Sequence, residues 1–329
     1  MPIFRRKPKV SHEAFAEMFR KHGVQGTAQL LQVHERRVFE RRTRAEAALG
    51  IKLESPIGPG GTKPGERDAD LAGVEAPRME IDFTDGVVLV GGDAHYWPGP
   101  STTAHRGFCY FAKELKPKIV IMNGDALDAS SISRHPPIGW EGLPSLADEL
   151  AAVQERLGEI TTASRRARRI WPLGNHDARF NTRLAMQTPE FRHVPGTRLV
   201  DHFPDWEPCW AAFIGGQGGA VVKHRFKGGI HAPHNNAMWA GRTMITGHLH
   251  SQKVTPFTDY NGTRWGVDAG CLAAPRGPQF TYIEENPRNH VSGFCVLTWA
   301  KGVLLPPELA TVISEERGII WFRGKEIAV

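Results

Sequence analysis

Cysteine is scarce: the 329-residue chain has four, Cys109, Cys209, Cys271 and Cys295, scattered and without a C-x-x-C pair. That excludes a disulfide framework or a thiolate zinc cluster as the organising element. Reduced thiols in a cytoplasmic protein are the expectation. No apolar run approaches the roughly 20 residues of a membrane-spanning helix. The start, Met1-Pro2-Ile3-Phe4-Arg5-Arg6-Lys7, is basic without an apolar core behind it, so neither a membrane span nor a signal peptide is expected. Internal repeats and low-complexity tracts are lacking, which sets solenoids aside.

What is present is an ordinary globular composition, 40% hydrophobic and 23% charged. The length suits one large domain plus a small one. Net charge is +6 and unevenly placed. Of 41 basic and 35 acidic residues, 11 and 5 fall in residues 1–50, which leaves 30 of each sign for the rest. All the excess positive charge is therefore at the front, where it implies an anionic partner.

Residues 1–50 are expected to form a small basic helical domain. Ser11 can cap a first helix bearing Phe15, Met18 and Phe19 on one face, ended by Gly23. Thr27 can cap a second with Ala28, Leu30 and Leu31. A third, from His34 or Glu35 to Gly50, carries Val38, Phe39, Ala45 and Ala48. Three short helices with a tight turn between the last two resemble a helix-turn-helix module. The third presents Arg36, Arg37, Arg41, Arg42 and Arg44, suited to phosphate and guanine contacts. The interleaved Glu35, Glu40 and Glu46 allow the blander reading of a salt-bridged face serving assembly. His34 stands where a small capping residue is usual. Residues 51–78, rich in proline and glycine, read as a linker.

From Met79 to Val329 a single α/β domain is expected. Strands near 87–91, 118–122 and 169–173 alternate with helices near 101–115 and 145–163, the latter buried along Leu146, Leu150, Val153 and Leu157. This alternation implies parallel βαβ units. Beyond residue 210 short strands follow, including Gly219–Lys223, Thr263–Asp268 and Gly293–Thr298, while Phe280–Phe294 and the tail read as covering structure. Trp97, Trp140, Trp206, Trp210 and Trp239 are expected mostly in the core, with Trp97 able to line a site rim.

Five strand ends carry the chemistry. Val87–Val90 runs into Gly91-Gly92-Asp93-Ala94-His95, and Ile119–Met122 into Asn123-Gly124-Asp125-Ala126-Leu127-Asp128. Ile170-Trp171 leads to Pro172-Leu173-Gly174-Asn175-His176-Asp177, and Met244–Thr246 to Gly247-His248-Leu249-His250. A lone histidine closes Ala220–Lys223. Ligands gather where strands end in open α/β sheets, so repeated glycine–Asp/His/Asn endings point to one shared site.

In this order the motifs D-x-H, G-D-x-x-D, G-N-H-D, a single His and G-H-x-H resemble the calcineurin-like metallophosphoesterases, over roughly residues 86–270. The resemblance implies an α/β fold, a two-sheet sandwich flanked by helices, here preceded by a small all-α helix-turn-helix-like domain. It implies two divalent ions about 3.5–4 Å apart that bind phosphate and acidify a water. One would take Asp93, His95, Asp125 and His250. The other would take Asp125, Asn175, His248 and a further histidine: His224 is preferred, with His231 and His234 as alternatives and Arg225 standing where the family usually has glycine. Mixed imidazole and oxygen ligands suit Mn2+ best, with Fe2+, Zn2+ or Ni2+ as alternatives. His176 is implied as the catalytic acid or charge stabiliser, oriented by Asp128, whereas Asp177 reads as a turn cap. His105 and His290, lacking such context, default to surface or core imidazole.

The expectation is a dinuclear-metal-dependent phosphodiester hydrolase, a DNA nuclease guided by the front module and resembling a phage or mobile-element enzyme. The alternatives are a phosphomonoesterase or small-nucleotide phosphodiesterase using the front helices for assembly, and a non-enzymatic DNA-bound regulator.

Overall fold

A computed structural model describes residues 10–53, 76–134, 142–216, 218–284, 286 and 288–329. Most of the expected linker, and Trp140, lie outside these residues. The chain divides into two compact units, Met1–Val74 and Glu75–Val329. Among the described residues no helix is long and apolar enough to cross a membrane.

In the first unit, α1 (His12–Leu31) is capped by the Ser11 hydroxyl, which accepts from the Ala14 N–H at 3.2 Å. Gly23, at φ 63°, breaks α1 into the two expected halves. The second helix, α2 (Glu35–Leu49), ends at Gly50 and is capped by His34, whose Nδ1 accepts from the Arg36 N–H at 3.3 Å. An imidazole thus does what a small cap usually does. Phe15, Phe19, Ala28, Val38, Ala45 and Leu53 form the core. Leu30 and Phe39, expected to be buried, are 57% and 50% exposed. Neighbouring positions lie about 100° apart around a helix, and Val38 takes the seam that Phe39 would have filled.

The arginines of α2 divide. Arg41 donates to the Val10 carbonyl and lies over the Phe15 ring, and Arg42 bonds Glu46 at 2.9 Å and lies over Phe19. These two are tied to the module's own core. Arg36, Arg37 and Arg44 are exposed, with Arg36 3.5 Å from Glu40.

The second unit comprises β1 (Met79–Ile81), β2 (Gly86–Gly91), α3 (Thr103–Leu115), β3 (Ile119–Met122), α4 (Leu146–Ala163), β4 (Arg168–Pro172), α5 (Asp177–Gln187), β5 (Glu207–Cys209), β6 (Ala212–Ile214) and β7 (Ala220–Val222). There follow α6 (Ala232–Ala240), β8 (Thr243–Thr246), β9 (Lys253–Asp259), β10 (Gly262–Asp268), β11 (Gly293–Ala300), β12 (Val303–Leu304), β13 (Glu308–Ser314), β14 (Ile319–Phe322) and β15 (Lys325–Ala328). One sheet runs β15-β14-β13-β11-β2-β3-β4-β5, with β12 on β11, and the other runs β1-β6-β7-β8-β10-β9. Strands β2 to β5 are parallel, as the βαβ alternation requires. The tail, expected as mere covering, is an antiparallel meander that extends the first sheet through β11.

The central strands are buried on both faces, which is why they read as unbroken apolar runs. Side chains alternate across a strand: Leu89, Val120, Met122 and Trp171 pack toward α3 and α4, while Val88, Val90, Ile121 and Ile170 pack against Ile214, Val222, Ile245 and Val267 of the other sheet. Helix α4 is capped by Ser145 and buries Val153 and Leu157 on the expected stripe. Trp206 is buried, but Trp239 is 67% exposed, against the expectation.

Ile121→Ala, between the sheets, is expected to lower unfolding free energy by about 2–5 kcal/mol, read from the urea midpoint in the presence of a chelator. A loss below about 1 kcal/mol would contradict a tightly packed inter-sheet core.

Candidate metal centre

All five motifs converge at one end of the sandwich. Asp93 and His95 follow β2, Asp125 and Asp128 follow β3, and Asn175 and His176 follow β4. His224 follows β7 of the second sheet, and His248 and His250 follow β8. Backbone pairing continues past the strands: the Asp93 N–H donates to the Gly124 carbonyl, His95 N–H to Asp125, and Gly247 N–H to His224, each at 2.9 Å. Asp93, His95, Asp125, His248 and His250 all have positive φ, between 40° and 71°. Left-handed backbone is costly for non-glycine residues and collects at functional sites. Here it re-aims side chains from the pleat into one centre.

Two motif glycines are required by close approach. A Cβ on Gly174 would lie 2.0 Å from Asp125 Oδ1, and one on Gly124, itself at φ 77°, would lie 2.4 Å from His224 Nδ1. At Gly174 the need is for space beside the carboxylate.

The candidate ligand atoms form overlapping groups. His250 Nε2 lies 3.1 Å from Asp93 Oδ1, and Asp93, His95 and His250 offer mutually close donors. His224 Nε2 lies 3.1 Å from Asp125 Oδ2, and Asp125, His224 and His248 form a second group. Asp125 is linked to the first group through His95 Nε2, 4.0 Å from Oδ2. Asp93 Oδ1 and Oδ2 accept from the His248 N–H at 2.9 Å. Asn175 is placed by the β4 loop with its Oδ1 buried. Of the three lone-histidine alternatives, His224 is brought to Asp125. His231 begins α6 in the open, and His234 packs edgewise on Phe257.

Supporting atoms fix these rings. Asp128 Oδ1 is 2.8 Å from both His95 Nδ1 and His176 Nδ1, so this carboxylate orients both rings. The Asn123 carbonyl is 2.9 Å from His224 Nδ1. Carboxylate and carbonyl partners of this kind set the tautomer that leaves Nε2 as the electron-pair donor. Asp177 is more than a turn cap: buried completely, it accepts from the backbone N–H groups of Asp125, Leu127 and Gly174 and from Trp171 Nε1, lashing the β3 and β4 loops together.

The residues fit two dications. His95 Nε2 and Asn175 Oδ1 are buried without hydrogen-bond partners among the described residues, a state rare for polar atoms unless something else binds them. Burial would lower the pKa of His224, but the charges of Asp125 and Asp93 prevail and push it up to about 10. The field at this point therefore favours positive charge strongly. Burial would raise Asp128, yet hydrogen bonds from His176 and His95 hold it well below the usual range.

Several neighbours have no motif signal. Arg179, one turn along α5, places Nη2 3.1 Å from His176 Nε2 and donates through Nη1 to the Asp128 carbonyl at 2.8 Å. Its i, i+3 spacing from His176 was the available clue. His290 packs on His250 at 4.5 Å, and Phe280 packs edgewise on His95. Burial and the His250 charge push His290 down to about 4. Asp268, at the end of β10, is buried close to Asp93 and His250, and burial raises it to about 7. Among these, only Asp268 could have been sought at a strand end.

Gly174→Ala is expected to reduce bound metal after equilibrium dialysis from two ions toward one or none. Far-UV circular dichroism should stay unchanged. Full retention of both ions would contradict the packing of Gly174 on Asp125.

No protein-family model matches the chain. The Gene 54 protein of Mycobacterium phage L5 is 28% identical over 123 residues, 36% of this chain and 46% of that protein, so the match spans less than half the relative's length. Among solved structures, similarity is found to the E. coli phosphoesterase YfcE, at 16% identity over 74% of this chain and 98% of that one, TM-score 0.33. Vps29 of Chaetomium thermophilum follows at 11%, 73%, 96% and 0.37, and a dimetal phosphatase from Danio rerio at 9%, 70%, 96% and 0.36. The architecture itself, two facing mixed sheets with Asp, Asn and His at their shared end, is the two-sheet α/β sandwich expected from the sequence.

Proposed function

We propose that the chain is a dinuclear-metal-dependent phosphodiester hydrolase and that its substrate is DNA. The observation that carries the reading is the pair of carboxylate–imidazole groups joined at Asp125, with His176 fixed beside them. Asp93, His95 and His250 would hold one ion and Asn175, His224 and His248 the other, with Asp125 between. Bound there, two dications, Mn2+ by preference, supply Lewis acidity toward a phosphate and lower the pKa of a water.

The remaining work falls to side chains. His176 gives Nδ1 to Asp128, leaving Nε2 turned toward the centre, 3.9 Å from Asp125 Oδ2 and reachable with a fifth of the side chain exposed. Burial favours its neutral ring, but the Asp128 hydrogen bond and the Asp125 charge outweigh this and raise its pKa. That suits a group donating a proton to a leaving oxygen near neutral pH. The Arg179 guanidinium beside Nε2 suits a phosphate oxygen.

DNA as the substrate is supported by the charge confined to residues 1–50 and by the exposed Arg36, Arg37 and Arg44. A phage relative accords with a mobile-element enzyme, and four free thiols accord with a cytoplasmic setting. One observation favours the second reading, a small-phosphoester hydrolase with an assembling front module: Arg41 and Arg42 are engaged with their own core.

DNA should be cleaved with Mn2+ and not with chelator, circular against linear substrates separating endo- from exonuclease action, and His176→Ala should slow cleavage by roughly 10²–10⁴-fold. Turnover of bis-aryl phosphate without DNA cleavage would move the substrate to something small. Converting Arg36, Arg37 and Arg44 together to alanine should weaken duplex binding and flatten its salt dependence. Binding indifferent to both salt and these residues would contradict the electrostatic role of α2.

A further inference from the structure

Beside His248 the surface carries groups that the metal chemistry does not use. Immediately after His224, the chain leaves β7 as an exposed stretch, and Arg225, Phe226 and Lys227 line an open cleft of about 140 Å³ together with Gly247 and His248. Lys227 Nζ sits 5.5 Å from the Phe226 ring and 5.1 Å from the Trp239 ring of α6. Phe226 is 43% exposed and Trp239 67%. Large aromatics left in water in a cluster mark a binding surface more often than scattered apolar residues do. Among the described residues no carboxylate lies within ion-pair distance of Arg225 or Lys227. The stretch is also held in place, because the Lys227 N–H donates to the Oδ1 of buried Asn236 at 3.0 Å.

Two cations without counter-charges and two exposed rings, opening on a ligand of a phosphoester centre, match one chemistry. We infer that Arg225, Phe226, Lys227 and Trp239 form a subsite for the nucleotides flanking the scissile phosphate on a single or locally unpaired strand. Arg225 and Lys227 neutralise backbone phosphates, and Phe226 and Trp239 stack on base faces, an interaction open to any base. Arg225 stands where the resemblance leads one to expect glycine. A protein partner would need an acidic, apolar complement, whereas a polynucleotide brings phosphate and base together in the register that the centre already requires. The inference rests on the phosphodiesterase reading.

The test uses the full chain with Mn2+ and a single-stranded oligonucleotide of about six nucleotides, too short to span a helix-turn-helix site, beside bis-p-nitrophenyl phosphate, which has no flanking nucleotides. Trp239→Ala and Lys227→Ala should each raise KM for the oligonucleotide roughly tenfold. The kcat/KM for the aryl ester should stay within about twofold of the native value. Trp239→Phe should recover most of the loss, and an oligonucleotide abasic beside the cleavage point should be insensitive to Trp239→Ala. Equal losses on both substrates would overturn the subsite, as would an unchanged oligonucleotide KM, which would leave the patch to another partner. If the native chain hydrolyses the aryl ester alone, the DNA reading fails. The subsite is then judged by fluorescence anisotropy of the same labelled oligonucleotide: binding weakened about tenfold by both substitutions upholds it, and binding indifferent to them overturns it.

Discussion

Two carboxylates with almost no access to water, Asp93 at 0% and Asp125 at 1% exposure, set the terms for this end of the molecule. A buried charge is tolerated only when opposite charge or donors surround it. Here Asp93 has His250 and the His248 N–H, and Asp125 has His224 at 3.1 Å and the His176 N–H at 2.8 Å. The left-handed residues, the Cβ-free positions at Gly124 and Gly174 and the Asp177 lashing all serve to bring these donors to two acidic points. The strain of such a backbone is borne by the sandwich below, whose inter-sheet layer and helix-facing layer fix the ends of β2, β3 and β4.

The same constraint separates the roles of neighbouring imidazoles. His95 and His176 share Asp128 through Nδ1, yet His95 is enclosed and its Nε2 points at Asp125, whereas His176 keeps an exposed edge with Arg179 beside it. Enclosure suits a ligand and partial exposure suits a group that meets substrate. Burial lowers the pKa of His95, while Asp128 and Asp125 together raise that of His176 against the same penalty. One carboxylate thus supports two histidines with different work.

Much of this was legible in the sequence, for identifiable reasons. The sheet strands are short apolar runs because Val88 and Leu89 face different cores, and a run apolar on both faces needs no partner information to be recognised. Asp93, Asp125 and His248 were legible because strand ends bring loops together whatever the details of packing, whereas His224 and His231 both read as strand ends and only the fold separates them. What lay hidden depends on register between distant segments. Phe280 and His290 reach the centre from a stretch that reads as covering, and the β13–β15 meander pairs onward from a strand that the local pattern cannot connect to it. Trp239 reads as core by composition, and only the placement of α6 leaves it in solvent beside Lys227. In the front module, composition gives five arginines on one helix, but which of them lie over Phe15 and Phe19 is a matter of helical phase against α1.

The central claim, that Asp125 joins two cation sites, is tested most directly by anomalous diffraction from crystals grown with Mn2+. The expected result is two peaks, one among Asp93, His95 and His250 and one among Asn175, His224 and His248, both within bonding distance of the Asp125 carboxylate. A single peak, or a second peak away from Asp125, would contradict it.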